Sequence, residues 1–444
     1  MLVVANLAAV TFFLLSFRHG IGFGPYREDL SVYRAGGRVW LSGGDLYRQL
    51  ATPGGKLRLP FTYPPIAAVL FSALSLVPRV VAVTGMTLAT VGLLGVVLWV
   101  FLRRLDWPGG WSLWALAWLV PPALFIEPVR NTLWLGQINV VLMALVSLDC
   151  LAKTPRWPRG VLVGLAAAVK LTPVAFVLFF LLRRDCRAAG TGVASFAAVS
   201  GAGCLLAWHD SIRYWTSTVF QTSRTGGLAY AGNQSVQAVL ARAGLDPRTA
   251  AGAAAWLALS ALVLAAACWG MRHAFAVGED CWALSLNAFA ALLISPISWS
   301  HHWVWCGPAL LTLAVLGRRH HSWLSLVTAA FGVAVFAAAP QWWFPSGADR
   351  ELRWAAWQQA IGSSYVIFAA FVLALSAYAK LALARKPIAA PAPPGPRRRA
   401  AARGRGSAGQ VRRCSWWAVP SLTGRRGGRA GPGCRRLVPC GRGR

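Results

Sequence analysis

Few residues in this chain are equipped for chemistry, because only 13 of its 444 positions are Asp or Glu. Asp29 stands out by context, in Arg27-Glu28-Asp29-Leu30-Ser31-Val32-Tyr33-Arg34-Ala35-Gly36-Gly37. On a helix over 29–40, Asp29, Tyr33 and Gly36/Gly37 share a face at i, i+4 and i+7/i+8. A carboxylate, a phenol and small residues together suit an acceptor hydroxyl approaching a base. The competing reading is a helix N-cap, which Asp fills well without any further role. A second centre is Ser295-Pro296-Ile297-Ser298-Trp299-Ser300-His301-His302-Trp303. Adjacent histidines cannot both point one way on an α-helix, so a two-His chelate is not expected. One imidazole is free to donate to a phosphate while its neighbour packs or caps. The flanking tryptophans fit an interfacial aromatic belt. A third centre is Lys170, which lies inside an apolar run with no carboxylate close in sequence. An ammonium at that depth marks a functional site whose natural partner is a phosphate or carboxylate.

Other polar residues interrupt apolar sequence. Glu127, Arg130, Asn131, Gln137 and Asn139 surround the break Gly136-Gln137-Ile138-Asn139. Amides in a membrane interior are costly unless hydrogen-bonded, so these either join helices or contact ligand. Phe61-Thr62-Tyr63-Pro64-Pro65 reads as a helix start, since proline is tolerated in a first turn, with Tyr63 free to face a cavity. Asn233-Gln234-Ser235 closes a polar interval and suits loop turns. Asp106, Asp149, Asp185, Glu279 and Asp280 sit beside basic residues or at helix ends, where a solvated loop charge is expected. The nine cysteines form no CxxC and no metal spacing, so neither a disulfide framework nor a metal site is read from them.

The elements that must position these residues lie in a bilayer. Hydrophobic residues make up 57% of the chain and charged residues 13%, where a soluble protein carries about 25% charge. That much apolar surface requires lipid as solvent. Residues 2–17 read as a first spanning helix, followed by a polar loop over 18–60. Apolar segments recur at about 61–77, 80–102, 111–126, 131–151, 160–182, 188–208, 250–271, 282–298, 303–317, 322–340 and 360–383. The expected architecture is an all-α transmembrane bundle of about 11–12 spans. Basic clusters at Lys153/Arg156/Arg159, Arg183/Arg184/Arg187 and Arg318/Arg319 mark cytoplasmic loops. The segment 160–182 is basic at both ends, which a single crossing does not explain. Lys170-Leu171-Thr172-Pro173 interrupts it, as in a re-entrant pair of half-helices lining a protein cavity.

The net charge of +31 does not point to nucleic acid. From Pro391 onward there are 14 arginines and no acidic residue, which leaves 30 basic against 13 acidic residues before it. Anionic lipid head groups are the nearer partner. We divide the chain into a membrane domain, 1–385, and an Arg/Pro/Gly-rich tail, 386–444. Its composition fits a disordered cytoplasmic segment, or GC-rich sequence read out of frame.

In their order along the chain, DLSVYRAGG, FTYPP, GQIN, KLTP, NQS and SPISWSHHW resemble the actinobacterial polyprenol-phosphate-mannose-dependent α-mannosyltransferases, GT-C enzymes of glycosyltransferase family 87. The resemblance covers about residues 25–310. It implies a GT-C fold, a polyprenyl-phosphate-mannose donor, a glycolipid or lipoglycan acceptor joined most readily by an α-1,2 linkage, and a plasma-membrane location. It also implies inversion at the anomeric carbon, with Asp29 as the general base, Glu28 leaving that identity slightly open. His301 or His302 is implied near the donor phosphate, and Lys170 suits neutralisation of the leaving group. Tyr33, Arg34, Tyr63, Gln137, Asn139, Asn233 and Gln234 are the candidates for acceptor or sugar contacts. No metal or other cofactor is required by this scheme. A transporter, or a GT-C enzyme using another lipid-linked sugar such as arabinose, remains the alternative.

Overall fold

A computed structural model describes residues 28–51, 58–108, 112–221, 224 and 226–378. The chain divides into units Met1–Pro387 and Ile388–Arg444, and every described residue belongs to the first. The first apolar segment and the basic tail therefore lie outside the described residues.

The described part is a helical bundle. The polar loop contributes helix α1 (Glu28–Leu41) and a small antiparallel hairpin, β1 (Gln49–Ala51) with β2 (Arg58–Pro60), in the register Leu50 to Leu59. Helix α2 (Pro65–Leu76) begins with Pro65 in its first turn, as the Tyr63-Pro64-Pro65 motif predicts. The remaining helices are α3 (Arg79–Arg104), α4 (Ser112–Ala123), α5 (Glu127–Leu135), α6 (Asn139–Leu151), α7 (Val161–Val169), α8 (Val177–Leu182), α9 (Cys186–Leu206) and α10 (Trp208–Thr216). They are followed by α11 (Val236–Arg242), α12 (Ala250–Ala276), α13 (Asp280–Ile294), α14 (Cys306–Arg319), α15 (Trp323–Ala338), α16 (Ala356–Gly362) and α17 (Ser364–Ala377). Each of the eleven apolar segments from 61 to 383 coincides with a helix or a broken helix pair.

By length and composition, four helical stretches among the described residues are long and apolar enough to cross a bilayer: Arg79–Arg104, Cys186–Leu206, Ala250–Ala276 and Trp323–Trp342. A fifth is the pair α16–α17, bent by 69°. At 1.5 Å per residue the 21 residues of α9 reach about 30 Å, the thickness of the hydrocarbon core. These helices turn large apolar side chains outward, Leu205 at 85% and Trp269 at 66% exposure among them. Only lipid can serve as the solvent for such a surface. The other apolar helices are shorter and broken, and the site is built at the breaks.

One end of the bundle gathers the basic residues. Arg104 and Arg183 both pair with Asp280, Arg319 with Glu279 at 3.2 Å, and Lys153 with Asp106 at 2.8 Å. The positive-inside rule makes this the cytoplasmic end. Glu279 and Asp280 are buried there, not solvated as the sequence suggested, because each is enclosed with an arginine. Asp149 is fully buried too, accepting from the backbone of Gly160 at 3.0 Å and Val163 at 2.8 Å, so it caps the start of α7. Asp185 does what its position suggests and caps α9 through the Ala188 amide.

The doubly basic segment resolves at this end. Arg159 and Arg183 both reach the Cys150 carbonyl, at 3.4 and 3.5 Å, so α7 and α8 enter and leave on one side. The chain between them turns over at Lys170 and a 3-10 segment, Thr172–Phe176. This is a re-entrant hairpin with Lys170 at its apex. It packs on α9 through Gly164, where an added Cβ would lie 2.3 Å from the Gly192 carbonyl oxygen. Gly164→Val should therefore cost about 1–3 kcal/mol or more through overpacking. A thermal-shift series in detergent should show a lowered unfolding midpoint, and an unchanged midpoint would contradict the close α7–α9 contact.

Candidate functional site

The interruptions of α5–α6, of the α7–α8 hairpin and of α13–α14 meet around one cavity of about 390 Å³, closed on the loop side by α1 and β2. That volume lies within the range of small-ligand sites. Asp29, Tyr63, Gln137, Lys170, His301 and His302 all line it, with Tyr214 and Arg224 from the second polar interval.

Helix α1 begins at Glu28, so Asp29 lies in the first turn and not at the cap position. Tyr33 follows at i+4 on the same face, as the spacing predicts. Gly36 and Gly37 serve packing and not substrate approach. A Cβ at Gly36 would lie 2.6 Å from the Phe61 ring, and one at Gly37 would lie 2.7 Å from the Ser72 backbone. The glycines let α1 lie directly on α2, and that contact sets the depth of Asp29.

Gln137 is the hub of the loop side. Its Oε1 accepts from Tyr33 at 2.8 Å and from Tyr63 at 3.3 Å, and its side chain hydrogen-bonds Asp29. The two phenols are 2.9 Å apart. Gly136 makes this possible: it ends α5 in the left-handed conformation (φ +69°) and turns the next two residues inward. Burial lifts the Asp29 carboxyl from 3.8 to about 6, against the Gln137 hydrogen bond and the Lys170 charge, which hold it down, with a small upward push from Glu28.

On the membrane side, Lys170 donates to Asn139 Oδ1 at 3.0 Å and lies 3.2 Å from His302 Nε2. Its ammonium also sits 5.6 Å from the centre of the Tyr63 ring. Asn139 donates in turn to the His301 carbonyl at 2.8 Å, which Thr132 also holds at 3.0 Å. Asn139 thus joins helices and fixes Lys170, while Gln137 reaches the cavity.

The histidines sit on a 3-10 segment, Ser300–Trp305, not an α-helix. Its tighter turn leaves the two rings 4.8 Å apart and nearly perpendicular, and both line the cavity. His302 is engaged with Lys170, whereas the buried His301 Nε2 has no hydrogen-bond partner among the described residues. The aromatic-belt reading of the neighbouring tryptophans does not hold. Trp303 is fully buried and Trp305 is 8% exposed, because the 3-10 turn rolls them into the bundle core. Trp299 lines the cavity instead.

Of the sequence candidates, Tyr33 and Asn139 stand behind the cavity lining, and three more lie elsewhere. Arg34 turns away from the cavity and donates to the carbonyls of Leu74 and Val77, the latter at 2.9 Å, satisfying the end of α2. Asn233 braces the Ser295–Trp299 segment: it donates to Pro296 at 3.3 Å and accepts from the Ser298 amide at 2.9 Å. Gln234 donates to the carbonyls of Ala231 and Gly362. Arg224 and Tyr214 were not singled out from the sequence, since a lone arginine or tyrosine in a polar loop carries no spacing signal. Arg224 is held at the cavity by the Tyr47 carbonyl, 2.8 Å away. Among the described residues no group of three or more His, Cys, Asp or Glu is placed to hold a metal ion.

The arrangement is a carboxylate and a hydrogen-bonded cation facing one cavity. Such a pair can remove a proton at one wall and receive an anion at the other. Known proteins carry similar sequences. A family model for glycosyltransferase family 87 matches residues 61–296. The chain is 42% identical over 372 residues, 80% of its length and 85% of the relative's, to the polyprenol-phosphate-mannose-dependent alpha-(1-2)-phosphatidylinositol mannoside mannosyltransferase of Mycobacterium tuberculosis. It is 42% identical over 377 residues, 80% and 84% of the two chains, to the protein of that description from Mycolicibacterium smegmatis. A pentamannoside mannosyltransferase of the latter organism is 33% identical over 347 residues, 75% and 80% of the two chains. No solved structure matches it. A multi-pass membrane bundle with this site and these relatives leaves one assignment: the chain belongs to glycosyltransferase family 87.

Proposed function

We propose that this glycosyltransferase moves mannose from polyprenyl-phosphate-mannose to a phosphatidylinositol mannoside in α-1,2 linkage, at the outer face of the plasma membrane. The observation that carries the reading is the placement of Asp29 and the Lys170–His302 pair on the same cavity. The catalytic unit is residues 1–385, and the basic tail from 386 takes no part in the chemistry.

In the inverting step, Asp29 takes the proton of the acceptor hydroxyl as that oxygen attacks the anomeric carbon. The bond from that carbon to the phosphate oxygen breaks on the opposite face, so a β-linked donor yields an α-linked product. The phosphate carries one negative charge as a diester and gains a second as it leaves. Lys170 supplies the compensating charge, and its desolvation inside the protein strengthens the attraction. We assign the direct phosphate contact to Lys170 and His301, with His302 orienting the lysine. Gln137 holds the base in place, the buried Tyr33 braces Gln137 from behind, and Tyr63 and Gln137 offer a hydroxyl and an amide toward sugar.

With its carboxyl near 6, Asp29 must be ionised to act, so transfer should rise with pH through about 6 and level off above it. Radiolabelled polyprenyl-phosphomannose transfer in membranes measures this, and an acidic limb near 4 would argue against Asp29 as the base. Asp29→Asn should lose on the order of 100- to 10,000-fold in transfer, whereas full transfer by that variant would remove the role. Lys170→Met should lower transfer on the order of 100-fold and move the acidic limb upward, because the Lys170 charge normally draws the Asp29 carboxyl down. A chain ending at Arg385 should transfer at the rate of the full chain. Incorporation of arabinose but not mannose would keep the chemistry and change the donor.

A further inference from the structure

Glu127 is 3% exposed, lines none of the cavity, and accepts hydrogen bonds from the side chains of four different residues. Its Oε1 accepts from Ser300 Oγ at 2.8 Å, Asn131 Nδ2 at 3.1 Å and Trp342 Nε1 at 3.1 Å. Its Oε2 accepts from Tyr365 OH at 3.0 Å. All four partners are neutral donors, and two of them, the indole and the amide N–H, cannot act otherwise. An ionised carboxylate is acceptor-only, which matches this set.

One of the four bonds leads to the site. Ser300 precedes His301 and opens the 3-10 segment that carries both histidines. Its hydroxyl donates to Glu127 and accepts from Asn131 at 3.0 Å, so the orientation is fixed from both directions. The next carbonyl, that of His301, is held by Thr132 and Asn139, and Asn139 also holds Lys170. The start of α5 thus grips the histidine turn just before His301, and the rest of the α5–α6 break grips it just after. Tyr365 and Trp342 reach the same carboxylate from the C-terminal part of the bundle, and neither lines the cavity.

We propose that Glu127 is a positioning residue of the transferase reaction. Through Ser300 it sets the histidine turn, and hence the His302–Lys170 contact, in the geometry that receives the leaving phosphate. The proposal rests on the mannosyl-transfer reading above. Because the phosphate gains charge as it leaves, a displaced turn should weaken the departing polyprenyl phosphate more than the donor diester.

The test is a variant series assayed for kcat and KM with polyprenyl-phosphomannose, with binding of polyprenyl phosphate measured on the same purified protein. Glu127→Ala should lower kcat on the order of 100-fold, change donor KM less than about threefold, and weaken polyprenyl phosphate binding on the order of tenfold. Glu127→Gln keeps the size and an acceptor oxygen and should recover most of the loss. Ser300→Ala should lower kcat alone yet add little in the Glu127→Ala background, as two members of one unit do. Tyr365→Phe, which removes a bond to the same carboxylate away from the turn, should cost less kcat than Ser300→Ala. Full kcat in Glu127→Ala, or losses in Tyr365→Phe equal to those in Ser300→Ala, would overturn the proposal and leave the mannosyl-transfer reading standing. If the unmodified chain transfers no mannose, that reading fails by itself. Polyprenyl phosphate binding still decides here: equal affinity for the unmodified chain and Glu127→Ala overturns the positioning role.

Discussion

The structure depends on keeping one ammonium charged inside a membrane protein. Lys170 sits at the apex of a hairpin that enters and leaves by the cytoplasmic end, far from any compensating carboxylate in sequence. An unpaired buried cation is costly, and contact with a carboxylate would neutralise it. The fold takes a middle course. Asn139, His302 and the face of Tyr63 solvate the charge with neutral groups, while Asp29 acts on it across the cavity. The lysine therefore remains available to an anion that arrives and leaves.

Much of the irregular architecture follows from that requirement. A continuous helix offers no free donors or acceptors to a buried charge, since its backbone groups are paired internally. The amides and imidazoles that surround Lys170 come from places where helices stop: the left-handed turn at Gly136, the 3-10 apex after Lys170, and the 3-10 turn at Ser300. Such backbone is tolerated at this depth because it lines a polar cavity and not lipid. The long uninterrupted helices face outward, and the broken ones enclose the site.

The two sides of the cavity also divide the labour of a glycosyl transfer. On the loop side, burial raises the Asp29 carboxyl to about 6 against the Gln137 hydrogen bond. On the opposite wall, Lys170 and both histidines line the cavity. Helix α1 rests on α2 through Gly36 and Gly37, so Asp29 is carried by a packed element and not by a loose loop.

The sequence by itself determined the solvent, the helical class, the helix that carries Asp29 and Tyr33, and the interruption at Lys170. Each of these rests on local periodicity or on the cost of charge in lipid, which short stretches of sequence express. Family membership was legible too, as a set of motifs in order. Tertiary structure alone decided the rest. That Gln137 joins Asp29 while Asn139 joins Lys170 depends on a turn two residues long. That Arg34 satisfies the end of α2, and that Asn233 braces the histidine segment, depends on neighbours 43 and 65 residues away. Asp149, Glu279 and Asp280 read as solvated because sequence shows a charge but not what closes over it. The two histidines both reach the cavity because the turn is 3-10, a geometry in which its own Trp303 and Trp305 are buried in the core.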